Sequence, residues 1–156
     1  MARHKLSIAS FCDYKLIAIH TPLEDYRLVY MLNGALSLQL AKRYDKECFA
    51  VDGGKGGGFS YYHWENKLLQ IDWHCVANKL VCEEETEGML FGKTSTIHYL
   101  IEDKKKVDYF LKIDTEGRLD VQGILTAIKG LPYVSMAYMI KTEGLNVKHK
   151  LLFQEC

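Results

Sequence analysis

The chain lacks a charge bias. Its 156 residues include 20 Lys+Arg and 20 Asp+Glu, for a formal net charge of zero. It therefore offers no broad field to attract nucleic acid or an anionic membrane surface. It also lacks any apolar run approaching the roughly 20 residues that span a bilayer. There is no C-x-x-C pair. Cys12, Cys48, Cys75, Cys82 and Cys156 are odd in number and scattered, which suits reduced thiols better than a disulfide framework. The opening "MARHKLSIASFCDYK" has no apolar core of signal-peptide length, so the expected location is the cytoplasm. No linker, low-complexity tract or clear repeat divides the sequence, and residues 1–156 are expected to form one domain large enough to bury a core.

Motifs that carry chemistry are scarce too. There is no G-x-S-x-G, no H-E-x-x-H and no paired-carboxylate motif, so no catalytic residue is assigned and an enzyme is the least supported class. "EGMLFGKTST" ends like a phosphate-binding loop, but Gly88 and Gly92 stand one residue too close. The sequence that follows is β-branched, where a phosphate loop must open a helix. "DGGKGGG" (Asp52 to Gly58) lacks the dinucleotide-binding spacing and reads as a flexible connection. No cofactor is expected. His63, His74, Cys75 and Cys82 are zinc-ligand types. They lack ligand spacing, and the adjacent His74 and Cys75 would point to opposite faces of a strand. No metal site is assigned. Tyr61, Tyr62, His63 and Trp64 alternate across a strand and fit core on one side and an interface on the other; nucleic acid is not expected as a partner.

The regular elements are easier to read. Tyr14 to His20 is a strand. Thr21, Pro22 and Glu24 supply start signals for a helix through Arg43. Its apolar face is Tyr26, Val29, Tyr30, Leu36 and Leu40, widened by Leu28 and Leu32, and Asn33 is expected to bond neighbouring backbone. "ECFAV" is a candidate strand. "FSYYHWE" and "LLQIDWHCVA" suggest a hairpin turning at Asn66-Lys67, a further break at Asn78-Lys79 leads to "LVCE", and "MLF" and "TIHYLIE" are shorter apolar runs around Gly92. Val107 to Asp114 alternates as a strand. Asp120 caps a helix with Val121, Ile124, Leu125 and Ile128 on one face, ended by Gly130 and Pro132. Val134 to Ile140 alternates again, and Val147, His149, Leu151 and Phe153 read as a final strand. Two strand–helix units among antiparallel strands predict an α+β fold. Both principal helices should lie on one face of an antiparallel sheet, with a ferredoxin-like order plus extra strands as the simplest version.

"LIEDKKKVDYFLKI" resembles the signature of the IPExxxVDY family of small, uncharacterised bacterial proteins. Ile101, Val107, Asp108 and Tyr109 match it. Glu102 stands where the family has Pro, and Asp103 where it has Glu. "LEDYRLVYMLN" and the C-terminal strand–helix–strand also look like that family, which transfers no activity. Asp103, Asp108 and Tyr109 are the candidate binding residues, with the two carboxylates converging at a hairpin mouth. The competing reading puts Tyr109 in the core and Asp108 outside. The expected function is a non-catalytic, self-associating interaction module, a homodimer, because both sides of the sheet carry large apolar residues. The alternative is a regulatory module binding a small metabolite. "VDYFLKIDTEGRLDVQGILTAIKGLPYVSMAYMI" resembles half of an ACT-like domain, which would take a ligand near "DTEGR" or at a subunit interface.

Overall fold

The computed structural model describes residues 14–44, 58–85 and 92–154. The elements run β1 (Tyr14–His20), α1 (Asp25–Leu36), β2 (Ala41–Lys42), β3 (Tyr61–Asn66), β4 (Ile71–Ala77), β5 (Lys79–Glu85), β6 (Lys93–Tyr99), β7 (Tyr109–Thr115), α2 (Val121–Lys129), β8 (Met136–Ile140) and α3 (Val147–Gln154). Six strands form an antiparallel sheet in the order β2-β3-β4-β7-β1-β8, and β5 and β6 pair as a separate ribbon. The inner order β4-β7-β1-β8, with α1 following β1 and α2 following β7, is the ferredoxin-like split βαβ arrangement. The extra strands are β2 and β3 at one edge and the β5–β6 ribbon inserted before β7. The fold is α+β, as expected.

Strand alternation sorts the core into two clusters. Ile17, Ile19, Trp73, Cys75, Leu111 and Ile113 meet Leu28, Val29 and Leu32 of α1 and Ile124, Leu125 and Ile128 of α2. Both helices therefore cover one face. On the other face, Leu16, Ala18, Val76 and Phe110 lie beneath Ile101, Val107, Leu145 and Phe153. The chain thus covers the middle of its second face itself, and that face needs no second subunit to bury it. The cover includes α3, where a final strand was expected. Asn146 Oδ1 accepts from the His149 amide at 2.9 Å, an N-cap bond that starts a helix. His149 and Phe153, four residues apart, are then both buried.

α1 is shorter than its apolar pattern predicts. It begins after Glu24, which makes no side-chain cap bond, and ends where Ser37 turns left-handed at φ 56°. The Leu38 amide returns to the Asn33 carbonyl at 3.1 Å. Asn33 then grips the backbone of Leu40 twice, donating to its carbonyl at 3.2 Å and accepting from its amide at 3.0 Å. That is the expected local role for Asn33, and it redirects the chain into β2. Tyr26 and Tyr30, read as core, are exposed. The β3–β4 loop is Lys67–Gln70, longer than the expected two-residue turn. Asn66 Oδ1 accepts from the Leu69 amide, Gln70 adopts φ 55°, and Leu68 and Leu69 are exposed. Gly92 leads into strand β6 rather than a helix, so Gly92-Lys93-Thr94 is not a phosphate loop. The candidate strand "ECFAV", the stretch "MLF" and most of the glycine loop lie outside the described residues.

Candidate functional site

Away from the helices, the apolar rows of the sheet give way to two polar rows towards the β3–β4 loop. His63, His74 and Lys112 are successive cross-strand partners on β3, β4 and β7. Beside them run Glu65, Asp72, Asp114 and Tyr14, again in register. His74 is only 4% exposed. Its Nδ1 lies 2.6 Å from the Tyr61 hydroxyl and its Nε2 lies 3.0 Å from Asp114 Oδ2. Burial lowers the His74 pKa, outweighing the opposing pull of Asp114. The ring is therefore neutral at pH 7 and carries one proton. Asp114 as a carboxylate can only accept, so Nε2–H donates to Asp114 and Nδ1 accepts from Tyr61.

The buried Lys112 ammonium lies 3.1 Å from Asp114 Oδ2 and 5.3 Å from the centre of the Tyr14 ring. Burial alone would raise the Asp114 pKa, but His74 and Lys112 together hold it below the usual carboxylate value. His63 stacks on His74 with centroids 4.7 Å apart, and its Nε2 lies 3.0 Å from Asp72 Oδ1. A cleft of about 520 Å³ opens beside this network. Glu65, Asp72, Asp114 and Glu116 line it, with Lys67 as the lysine on its wall. The "DTEGR" loop, expected to sit near a metabolite, contributes Asp114, Thr115 and Glu116 to that acidic wall.

Of the zinc-ligand types weighed from sequence, only His63 and His74 come together. Cys75 packs with the helices on the opposite face, where burial pushes its thiol up to about 12. Cys82 lies on the β5–β6 ribbon. The carboxylates and Lys112 were missed because they become neighbours only through strand pairing. The available signal was the shared parity of Asp72 with His74 and of Lys112 with Asp114.

The predicted binding residues lie in two places. Asp108 Oδ2 accepts from the Thr21 amide at 2.8 Å, and the Tyr109 hydroxyl donates to the Leu23 carbonyl at 2.7 Å. Both pin the connection between β1 and α1, and they border a cleft of about 380 Å³. Asp103 is exposed on a 3-10 turn in a different depression, beside Lys104, Lys105 and Tyr138. The signature segment is held from inside by Asn78. This fully buried side chain donates to the carbonyls of Lys104 and Val107 at 2.8 and 2.9 Å and accepts from the Ile101 amide at 2.8 Å.

The two edges of the sheet differ. β2 is two residues long and ends in Lys42, which reaches Asp25 at 3.4 Å. β8, "MAYMI", runs five residues without charge, Pro or Gly. It pairs with β1 on one side, and no strand among the described residues pairs with its other side. Met136 and Tyr138 are exposed along it. Among the described residues no helix is long and apolar enough to cross a membrane. No protein-family model, curated protein or solved structure matches the chain.

Proposed function

We propose that the chain is a non-catalytic interaction module that associates with a second copy of itself along the outer edge of β8. The observation that carries this reading is the contrast between the edges. An unpaired strand edge presents a row of amides and carbonyls ready to accept another strand, and proteins that stay single blunt such edges with charge, proline or brevity. β2 is blunted in two of these ways, whereas β8 has none of them within its span. Antiparallel pairing of β8 with its own copy about a two-fold axis is self-complementary and closes after two subunits. It would join six strands per copy into one continuous sheet. Met136 and Tyr138 would add apolar contact along the seam. Kinship with the IPExxxVDY proteins belongs to the same reading. Its support is the match at Ile101, Val107, Asp108 and Tyr109, whose places in the fold are buried or tied to the β1–α1 connection.

Sedimentation equilibrium at micromolar concentration tests the proposal. The wild-type chain should sediment at twice its 17.9 kDa mass. The Met136→Lys/Tyr138→Lys variant places like charges along the seam and should sediment as a folded monomer. A wild-type chain that sediments as a single 17.9 kDa species, or a variant that still dimerises, would overturn it.

A further inference from the structure

We propose that His63, Asp72 and His74 form a binding site for a divalent first-row transition-metal ion, zinc above all, with water completing the coordination. Two imidazoles and one carboxylate are a donor set that zinc favours. One donor atom from each of the three residues lies within 4.8 Å of the other two. Zinc sits about 2.0–2.2 Å from such donors, so its ligand atoms stand roughly 3.4 Å apart. His63 Nε2 and Asp72 Oδ1, at 3.0 Å, are already near that spacing. The remaining closure, at most about 1.4 Å, is within the reach of side-chain rotation. The histidines are direct cross-strand partners on adjacent strands, so the sheet sets their separation.

The surroundings are those of a ligand site rather than of a core. Tyr61 holds the nitrogen of His74 that faces away from Asp114, the role an outer partner plays for a metal-bound imidazole. On binding through Nε2, His74 changes tautomer. Its single proton moves to Nδ1, which then donates a hydrogen bond to the Tyr61 oxygen while the Tyr61 hydroxyl keeps its own proton and turns it away from the ring, so the ring neither takes up nor releases a proton. Asp114, tied to Lys112 at 3.1 Å, stands between that ammonium and the His74 ring and offsets its charge. Of the three ligands, Asp72 lines the acidic cleft of about 520 Å³, whose Glu65, Asp72, Asp114 and Glu116 outnumber Lys67 and favour approach of a cation. Water from that cleft supplies the remaining ligands.

The test uses the full chain, stripped with chelator, in titration calorimetry with zinc chloride and in visible spectroscopy with cobalt(II). Zinc should bind in a 1:1 ratio. Cobalt should show ligand-field bands without the thiolate charge-transfer band of a cysteine site. His63→Ala and Asp72→Asn, both at partly exposed positions, should each weaken zinc about tenfold or more, and Cys82→Ser should leave it unchanged. His74→Ala is avoided because it strips partners from Tyr61 and Asp114 and so threatens the fold. Absence of zinc binding to the folded wild-type chain, affinity unchanged in both variants, or a thiolate band with cobalt would each overturn the proposal.

Discussion

Replacing Asn78 with Ala should be among the most damaging single changes to the polar interior. The side chain is fully buried and makes three hydrogen bonds to the segment that crosses the second face of the sheet. In the variant, the Ile101 amide and the Val107 carbonyl lose this partner. The Lys104 carbonyl keeps the Val107 amide at 3.0 Å and loses less. Each buried polar group left without a partner costs about 1–3 kcal/mol, so the two together cost about 2–6 kcal/mol. For a chain of this size that lowers the melting temperature by roughly 5–20 °C. Asn78→Asp keeps the acceptor for Ile101 but loses both donors and buries a charge, and should be at least as destabilised. Urea unfolding followed by circular dichroism measures both, with Asn66→Ala in the exposed hairpin as a mild reference. A loss below about 0.5 kcal/mol for Asn78→Ala would refute the reasoning, because a surface substitution costs that little.

Other outcomes follow from the same geometry. Phe153→Ala removes a fully buried ring that sits 5.5 Å from Phe110 and 6.2 Å from Tyr14, and should cost about 3–5 kcal/mol in urea unfolding; a near-neutral result would mean that α3 does not cover the sheet. Asp120→Ala loses the cap bond to the Gly123 amide and should cost about 1 kcal/mol. A Cβ at Gly123 would fall on the Asp120 carboxylate, so Gly123→Ala should stabilise only in the Asp120→Ala background; equal effects in both backgrounds would contradict the cap. In chelator, stability should fall as the pH drops below about 6.5, since the unfolded chain binds a proton that folded His74 resists. The folded pKa is the lower one, so the contribution is present above that pH and lost in acid. The His74 ring, followed by NMR in the folded chain, should titrate below the range of a free histidine, and titration within or above that range would argue against it.

Where one period ran without interruption, the sequence was legible. β1 falls on its expected residues, and α2 starts at its expected cap, Asp120, and ends at Gly130. Misreadings occurred where two patterns overlapped. Leu36 and Leu40 continue a plausible helical face, but Ser37 and the grip of Asn33 on Leu40 end α1, and neither gives a strong local signal. In α3, apolar residues at alternate positions mimic a strand, whereas the Asn146 cap marks a helix. The polar network was least accessible. His63, Asp72, Lys112 and Asp114 come from three strands, and only the register of β3, β4 and β7 makes them neighbours. Tyr26 and Tyr30 show the limit of periodicity itself, because a tyrosine at a core spacing can equally sit on a solvent-facing flank.

Amide hydrogen exchange of β8 as a function of chain concentration tests the account's central claim most directly. If two copies pair along this edge, the Met136–Ile140 amides facing away from β1 become hydrogen-bonded in the dimer and exposed in the monomer. Their protection should rise with concentration across the range in which the mass doubles, while amides of the short β2 edge stay unchanged. Equal exchange of the β8 amides at all concentrations, with dimer formed, would place the interface elsewhere and contradict the account.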